Sequence, residues 1–402
     1  MGNSLNNDSA FDRPRQRWWK GNLHMHSLWS DGDEFPEVIA AWFKTHGYHF
    51  IAFTEHDRLQ QGEMWFDPND RQDMNPNQDL SAMGSKYRAA FGADWVETLT
   101  EGGREQIRIK PLHEYRQLFE EPDRFTILMG EEITVRVGQK THWMNAWNLS
   151  APISPQSAAD SPTAIQKVID AVQAHNQEYG GRAITQLNHP NYAWNASASD
   201  ISLLRDLNFL EIYAALGSTR SYGDTTHSSV ERIWDEVLTY RLRKGWDVVF
   251  GTFSDDSHFY NKWHRTNPYG HPGCAWMMVR CQVLSPDSII QAMINGDCYG
   301  STGVTIKELA IDDKGIHLEI EQAPGVDHVI HFIGTRLDSS ECGQILQSVQ
   351  GSKADYRFMG DELYVRARVE SSRLHPQPHD PGEVQKAWTQ PIRSRTRAVY
   401  FG

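Results

Sequence analysis

Nearly every long apolar run in the first three-quarters of the chain ends in a histidine or a carboxylate. The segments are residues 22–26, 50–57, 127–132, 141–143, 183–190 and 248–258. Parallel strands that each present a reactive side chain at the C-terminal end are how α/β barrels build an active site. Imidazole and carboxylate groups are also ligands for zinc and transition-metal ions. This one feature therefore predicts both an α/β barrel and a metal site at one rim of it.

Helical segments alternate with these apolar runs. Helices are predicted over residues 36–47, 161–180, 228–244 and 285–296, because Ser or Pro opens each segment and Gly closes or follows it. A further strand is predicted at residues 209–213. Strand–helix alternation favours a mostly parallel sheet with helices outside it. About seven strands are counted, so we expect a distorted seven-stranded TIM-like (β/α)7 barrel.

Changes in pattern along the chain predict its domains. Residues 1–17 form a polar, flexible leader, and residues 18–304 form the barrel. Residues 58–125 are an insertion on the ligand-bearing rim, where long insertions commonly shape a substrate pocket or act as a lid; a disordered surface loop is the alternative for residues 67–80. Alternating apolar and polar residues predict a small β-rich domain over residues 305–402.

Composition excludes several kinds of partner. The 402 residues carry a formal net charge of −13, whereas binding a nucleic-acid backbone needs a basic surface. No apolar run reaches the length of a membrane span, and the N-terminal segment lacks the apolar region of a signal peptide. The four cysteines form no C-x-x-C pair. We expect a cytoplasmic protein with reduced thiols that acts on a small molecule, with neither nucleic acid nor membrane as partner.

The candidate ligands are each ambiguous alone and informative together. His24 and His26 share one face of a strand, because strand side chains alternate with a period of two. Glu131 and Glu132 must point to opposite faces, so one of them should face the barrel interior, where a cation would offset the cost of burying it. The other candidates are Asp31, His56, His142, His189, Asp255, Asp256 and His258. Six separate strand ends share this chemistry, which predicts a metal-binding barrel.

Taken together, the motifs resemble those of the PHP superfamily, named for polymerase and histidinol phosphatase domains. The matching motifs, in family order across residues 18–303, are His24-Met25-His26, Ser30-Asp31-Gly32, Thr54-Glu55-His56-Asp57, Gly130-Glu131-Glu132-Ile133, His189-Pro190 and Asp256-Ser257-His258. Within the superfamily, Thr141-His142-Trp143 and the Asp-Asp-Ser-His ending look most like the bacterial carbaryl-hydrolase branch.

The resemblance implies a seven-stranded barrel that holds two or three divalent ions, which are manganese, iron or zinc. By matched position, one ion would take His24, His26, Glu132 and Asp256, a second would take Glu132, His142 and His189, and a third would take Asp31, His56 and His258. Glu131 and Asp255 are the alternatives to Glu132 and Asp256, and the G-x-E and D-x-H spacings favour the second of each pair.

The function expected from this site is hydrolysis by a metal-bound hydroxide, with no catalytic side chain beyond the bound water. A phosphoesterase acting on a small phosphorylated metabolite is the leading hypothesis. A hydrolase of a carboxylic ester, carbamate or amide is the first alternative, and a non-catalytic metal- or carbohydrate-binding module is the second. Asp57, Glu55 or Asp255 would orient imidazoles, with structural roles as the alternative for each of them. Arg58, Asn145 and Asn191 lie next to ligands and are expected to contact the substrate.

Overall fold

The computed structural model describes residues 16–67, 83–260, 270–378 and 380–393. The strands in these ranges are β1 (Arg17–Asn22), β2 (Phe50–His56), β3 (Met64–Phe66), β4 (Thr98–Glu101), β5 (Arg104–Ile109), β6 (Thr126–Val137), β7 (Lys140–Trp147), β8 (Gln156–Ser157), β9 (Ile184–Leu187), β10 (Phe209–Ala214), β11 (Phe250–Ser254), β12 (Trp276–Cys281), β13 (Cys298–Ser301), β14 (Ile306–Ile311), β15 (Gly315–Ile320), β16 (His328–Arg336), β17 (Gln344–Gln350), β18 (Lys353–Arg357), β19 (Glu362–Leu374) and β20 (Val384–Thr389). The α-helices are α1 (Pro36–Thr45), α2 (Met83–Phe91), α3 (Leu112–Phe119), α4 (Ser161–Tyr179), α5 (Ala198–Ser202), α6 (Val230–Arg243) and α7 (Pro286–Ile294). Two short 3-10 helices lie at Tyr192–Trp194 and Gly217–Thr219.

The four helices predicted from their end signals are present as α1, α4, α6 and α7. Local capping explains their bounds: the Asp160 side chain accepts a hydrogen bond from Thr163 N, and Gly180 ends the same helix in the left-handed conformation at φ 67. Ser229 and Ser285 cap α6 and α7 in the same way. Their apolar faces pack on the sheet in one large core, which fixes the strands that carry the candidate site.

One fourteen-stranded sheet organises the chain, and the fold is mixed α/β. The strand order is β11-β10-β9-β7-β6-β2-β1-β12-β13-β20-β19-β16-β17, with β8 paired to β6. Strands β1, β2 and β6 run parallel to one another, and so do β9, β10 and β11. The carboxyl ends of the strands within each set therefore lie at the same edge of the sheet.

Strand β7 departs from the expected parallel pattern. It runs antiparallel to both of its neighbours, β6 and β9. The reason is local, because only two residues separate β6 from β7 and the first of them, Gly138, adopts φ 59. Such a short turn can join only antiparallel strands.

The two ends of the run from β11 to β1 meet beyond the strand ends. An isolated parallel bridge joins Met25, which follows β1, to Ser257, which follows β11. His26 N donates to Ser257 O at 2.9 Å in this bridge. The contact brings the segments after the first and last strands of this run side by side, directly at the candidate ligands.

The described chain after Ser301 contains the seven strands β14 to β20 and no helix. Four of these strands extend the large sheet through the pairing of β13 with β20, and the other three form a separate antiparallel sheet. The buried guanidinium of Arg366 in β19 holds this region to α6, donating to Asp235 Oδ1 and Oδ2 at 2.9 and 2.7 Å and to Glu231 at 2.8 Å.

The insertion after β2 contains the small sheet β3-β5-β4 and the helices α2 and α3. Most of the stretch proposed as a disordered loop, residues 68–80, lies outside the described residues, as do residues 1–15 of the expected leader. The described part of the insertion docks on α1, where Glu37 accepts hydrogen bonds from Tyr87 at 2.6 Å and Trp95 at 3.2 Å. None of the helices in the described ranges is both long enough and apolar enough to cross a membrane.

Candidate metal centre

Strand ends bring most of the predicted ligands to one place. Short loops after β1, β2, β9 and β11, or the last residue of the strand, carry His24, His26, His56, His189, Asp256 and His258. Glu132 lies inside the twelve-residue strand β6 and pairs with His56 across the parallel ladder. The backbone turns sharply at these ends, since Asp57 and Asp256 adopt φ 53 and φ 49, a strained conformation that is common at functional sites.

Eight of the nine predicted ligands fall into three overlapping groups. In each group the candidate ligand atoms lie within 4.8 Å of one another. The groups are His26, Asp31, His56 and His258; His24, His26 and Glu132; and His24, His189 and Asp256. The set expected around Asp31 is thus present, with His26 in addition, and His189 groups with His24 and Asp256.

Glu132 and Asp256 lie between the imidazoles of His24 and His26. His24 Nε2 is 3.2 Å from Glu132 Oε1 and 3.2 Å from Asp256 Oδ1. His26 Nε2 is 3.3 Å from Glu132 Oε2 and 3.4 Å from Asp256 Oδ1. Two ligands that bind one ion at about 2.1 Å lie roughly 3.4 Å apart in a tetrahedral site. The observed spacing is therefore suitable for shared coordination.

Asp31 organises the neighbouring group. Its carboxylate lies 3.3 Å from His56 Nε2, 3.5 Å from His258 Nε2 and 3.4 Å from His26 Nδ1. The rings of His26 and His258 stack with their centroids 4.1 Å apart. Packing of several imidazoles around one carboxylate needs a positive charge, which either protons or a metal ion can supply.

Buried polar atoms without partners test whether the site fits a metal ion. His24 Nε2, His26 Nε2 and Asp256 Oδ1 are each buried, and although they lie 3.2–3.4 Å from other ligand atoms of the centre, none of them makes a hydrogen bond of acceptable geometry among the described residues. Leaving such atoms unsatisfied is costly, and all three point into the same small volume between the carboxylates. Nitrogen and oxygen donors of this kind suit zinc, iron and manganese. The residues present therefore fit divalent metal ions.

The imidazoles and carboxylates of the centre shift one another's pKa values. Burial raises the pKa of Glu132, but the His56 and His24 imidazoles lower it well below its ordinary value. Burial lowers the pKa of His56 and His258, yet Glu132 and Asp31 raise that of His56 to about 9, and Asp31 and Asp256 raise that of His258 to about 10. In the metal-free protein, protons on His56 and His258 offset part of the charge of the carboxylates, whereas burial and the neighbouring His258 imidazole lower the pKa of His26.

His142 is not part of the centre, contrary to the expected second ligand set. Its Nε2 lies 2.8 Å from Ser161 Oγ at the start of α4, and it belongs to none of the three groups. The register explains this: Glu132 pairs with Asn145, so His142 lies three residues further along the antiparallel strand, about 10 Å away, and on its other face. Burial, together with the charge of Lys140, lowers the pKa of His142 to about 4, so its imidazole is neutral at neutral pH.

Trp143, the next residue, faces the centre instead. It lines a cleft of about 300 Å³ above the ligands. The cleft is formed by Asp31, His56, Glu132, Trp143, His189, Tyr192, Leu216, Ser218, Asp256, His258 and Phe259. Apart from the candidate ligands and Ser218, the wall is aromatic or apolar, and the described lining residues include neither Lys nor Arg.

The choice between adjacent carboxylates follows the predicted spacing. Glu132 lies among the imidazoles, whereas Glu131 faces the opposite side and accepts a hydrogen bond from Ile153 N at 2.9 Å. Asp255 likewise points away from the centre and accepts from the backbone N–H groups of Gly273, Cys274 and Ala275 at 2.7–2.8 Å.

Asp57 and Asp255 have structural contacts, the alternative to orienting imidazoles. The Asp57 carboxylate accepts from Thr134 N at 2.7 Å, and Asp255 is used by the backbone groups described above. Glu211 in β10 has that role instead: its carboxylate lies 2.8 Å from His24 Nδ1 and accepts from His189 N at 3.0 Å and from Ser254 Oγ at 2.6 Å. A lone glutamate in the apolar strand 209–213 was the signal in the sequence.

The three residues expected to contact substrate lie in different surroundings. Arg58 is exposed, and Nη1 approaches Met64 Sδ at 3.5 Å. Asn191 is buried and donates to Arg220 O and Ser228 O, so it supports a loop. Asn145 is buried beside Asn188, whose Nδ2 donates to Asn145 Oδ1 at 2.9 Å and to Glu132 Oε1 at 2.6 Å. None of the three lines the cleft.

Comparison with known proteins gives only distant likenesses. No protein-family model and no curated protein matches the chain. Among solved structures, a two-domain protein from Bacteroides vulgatus that contains a predicted PHP-like metal-dependent phosphoesterase is similar, with 14% identity, coverage of 93% of this chain and 95% of that one, and a TM-score of 0.40. A proposed metal-dependent phosphoesterase from Bifidobacterium adolescentis is also similar, with 12% identity, coverage of 61% of this chain and 89% of that one, and a TM-score of 0.32. Similarity at this level assigns neither an activity nor a substrate.

Fold and site together define a class: a mixed α/β protein with clustered His, Asp and Glu side chains suited to divalent metal ions.

Proposed function

We propose that this protein is a metal-dependent hydrolase and that its substrate is a small phosphorylated molecule. The observation that carries the proposal is the convergence of His24 Nε2, His26 Nε2 and Asp256 Oδ1, all buried and without a hydrogen bond of acceptable geometry, next to a cleft that Asp256 itself lines. Ligand atoms that converge below an accessible cleft are typical of catalytic metal sites, whereas structural sites are closed.

We propose that eight residues hold two or three ions of manganese, iron or zinc. They are His24, His26, Asp31, His56, Glu132, His189, Asp256 and His258. Clustered divalent ions lower the pKa of water and stabilise the negative charge that develops on a phosphoryl or carbonyl group. The strands that support these residues, from β1 to β11, would then form the distorted seven-stranded barrel expected from the sequence.

The remaining residues of the site position these groups. Glu211 fixes the ring of His24 through Nδ1, which leaves Nε2 directed at the carboxylates. Asn188 donates to one oxygen of Glu132 and so sets the rotation of its carboxylate. Trp143, Tyr192 and Phe259 line the cleft, and a substrate bound against these rings would displace water from the space above the ligands and so strengthen electrostatic interactions there.

A second candidate function is hydrolysis of a carboxylic ester, carbamate or amide. It is favoured by the cleft wall, in which the described residues include aromatic and apolar side chains but neither Lys nor Arg. A phosphate dianion is commonly held by such cations, whereas a neutral ester or carbamate needs none. This candidate agrees with the resemblance of Thr141-His142-Trp143 and the Asp-Asp-Ser-His ending to the carbaryl-hydrolase branch.

Turnover assays on two substrate panels separate the candidates. Protein reconstituted with manganese, iron or zinc is tested on phosphomonoesters and on aryl esters and carbamates. Hydrolysis of phosphomonoesters supports the leading proposal, hydrolysis of only the second panel replaces it with the alternative, and metal binding without any turnover favours a binding module. His258→Ala should abolish turnover, and the matched variant His142→Ala, outside the centre, should retain it.

A further inference from the structure

The C-terminal β-rich region reaches the wall of the cleft. Residues 215–229, between β10 and α6, form what we call the cleft loop, and its residues Leu216 and Ser218 line the cleft. Glu383, just before β20, is buried and accepts a hydrogen bond from the hydroxyl of Tyr222 in the cleft loop. The same carboxylate lies 3.4 Å from the hydroxyl of Tyr213 in β10, which donates to it.

Lys386 adds further contacts between the C-terminal region and the cleft loop. Lys386 Nζ donates to the Tyr222 hydroxyl at 3.1 Å and lies 4.4 Å from the centre of its ring. Burial, together with the Glu383 carboxylate, raises the pKa of Tyr222 well above its ordinary value, so the phenol stays protonated and can donate. The carboxylate and ammonium of the C-terminal region thus hold one phenol between them.

The opposite side of the cleft loop is held by the segment that carries a candidate ligand. Asn191, two residues after His189, donates through Nδ2 to Arg220 O at 3.1 Å and to Ser228 O at 2.9 Å. The cleft loop is therefore held by Asn191, which lies near the candidate ligand His189, and by Glu383 of the C-terminal region.

The same C-terminal segment contacts a second loop beside the centre. His375 Nε2 lies 2.7 Å from Cys274 O, and Cys274 N donates to Asp255, the neighbour of the candidate ligand Asp256. The C-terminal segment that contains His375 and Glu383 thus contacts both the cleft loop and the loop that holds Asp255.

We infer that Glu383 is a positioning residue: through Tyr222 it sets the conformation of the cleft loop and so the shape of the substrate cleft. The C-terminal region then contributes to substrate binding without supplying a metal ligand. The kinetic part of this inference rests on the proposed function, whereas its structural part does not.

The test compares two buried carboxylate–tyrosine pairs in the full-length protein. Tyr222→Phe removes the hydrogen bond at the cleft loop, and Glu383→Gln removes the charge and leaves one acceptor oxygen for the two hydroxyls of Tyr222 and Tyr213. Glu362→Gln and Tyr356→Phe remove a matched pair, whose O–O distance is 2.7 Å and whose carboxylate is also buried, among strands remote from the cleft. Because Gln keeps the shape and one acceptor oxygen, Glu383→Gln should fold, and Tyr222→Phe removes only a hydroxyl.

The structural readout needs no substrate. Arg220 is an exposed residue of the cleft loop, so limited trypsin digestion followed by mass spectrometry measures how often the loop opens. We expect cleavage after Arg220 to accelerate about tenfold in Glu383→Gln and Tyr222→Phe, as for loss of one charge-assisted hydrogen bond. The double variant should add little, and the two control variants should match the wild type.

The kinetic readout uses whichever substrate the panels identify. KM should rise about tenfold in Glu383→Gln, with a smaller change in kcat and unchanged metal content, because the interaction lost positions the cleft rather than the ligands. Cleavage after Arg220 at the wild-type rate, or equal acceleration in Glu362→Gln, would overturn the inference. If neither panel contains a substrate, the proposed function fails, and the trypsin digestion still tests the inference about Glu383.

Discussion

Replacing Glu211 with Gln tests how the centre is organised. The Glu211 carboxylate accepts hydrogen bonds from His189 N at 3.0 Å and from Ser254 Oγ at 2.6 Å. It accepts a third from His24 Nδ1, at 2.8 Å, when that nitrogen carries the ring proton. A glutamine amide has one oxygen and one NH₂ group, so at least one of these donors must then face another donor. The ring of His24 loses its orientation or the His189 loop shifts, and both carry candidate ligands.

The expected loss follows from what such partners contribute elsewhere. Removing a group that orients a metal-binding imidazole typically lowers metal affinity by about 10- to 100-fold, which corresponds to roughly 1.4–2.7 kcal/mol. We therefore expect Glu211→Gln to bind its metal ions about 10- to 100-fold more weakly than the wild type. The fold itself should survive, because the substitution preserves the shape of the side chain.

Competition of the metal-stripped protein with a chromogenic chelator measures this affinity directly. Glu131→Gln is the matched control, since Glu131 is a buried carboxylate of the neighbouring region that faces away from the ligands. Equal metal affinities for Glu211→Gln and the wild type, within a factor of about two, would refute the role given to Glu211. An equal loss in Glu131→Gln would show that the effect is not specific to the His24 contact.

Three further predictions concern other parts of the molecule. His142→Ala should keep full metal content and activity, as measured by elemental analysis and turnover, because its ring contacts Ser161 rather than the ligands; loss of metal in this variant would restore it as a ligand. Burial lowers the pKa of His56 and of His258, but neighbouring carboxylates raise the pKa of His56 to about 9 and that of His258 to about 10. A histidine whose pKa is higher in the folded state than in the unfolded state stabilises the folded state only at the lower pH values, where it is protonated. Thermal melts of chelator-treated protein should thus show this stabilisation in full below pH 6.5, the ordinary histidine pKa, and its loss as pH rises through about 9 and then 10; a melting temperature that rises over this range would contradict the assignment. Arg366→Met leaves Asp235 buried without its cation, so urea unfolding should show a loss of about 3–5 kcal/mol, and a loss below about 1 kcal/mol would show that the ion pairs contribute little.

The sequence predicts those parts of the site that depend on strand ends. His24, His26, His56, His189 and Asp256 follow short apolar runs, and adjacent parallel strands bring such ends together whatever the details of packing. Strand alternation predicts that only one of Glu131 and Glu132 faces the centre, and the G-x-E spacing of the motif that the chain resembles favours Glu132.

His142 shows where this reasoning stops. Its position next to an apolar run was a valid signal, but the rule assumes that the strand runs parallel to its neighbours. The two-residue turn at Gly138 reverses β7, and the register then places Trp143 and Asn145 on the side of the centre. Pairing and register depend on contacts between distant parts of the chain, which local patterns do not encode.

Glu211 and Glu383 were missed for related reasons. Glu211 lies in the middle of its strand rather than at the end, and only the three-dimensional structure brings its carboxylate to His24. Glu383 belongs to a region that the pattern assigns to a separate domain, yet pairing of β13 with β20 continues the sheet across that boundary and brings Glu383 to Tyr222.

Elemental analysis of the purified protein, beside Asp256→Asn, tests the central claim most directly. Asp256 lies between His24 and His26, and its Oδ1 is also 3.6 Å from His258 Nδ1, so this one oxygen faces three of the candidate ligands. We expect two or three bound manganese, iron or zinc ions per chain in the wild type and loss of at least one in Asp256→Asn, with His142→Ala unchanged. A wild-type protein that binds none of these ions tightly after reconstitution, or an Asp256→Asn variant with the full complement, would contradict the assignment of this site as a metal centre.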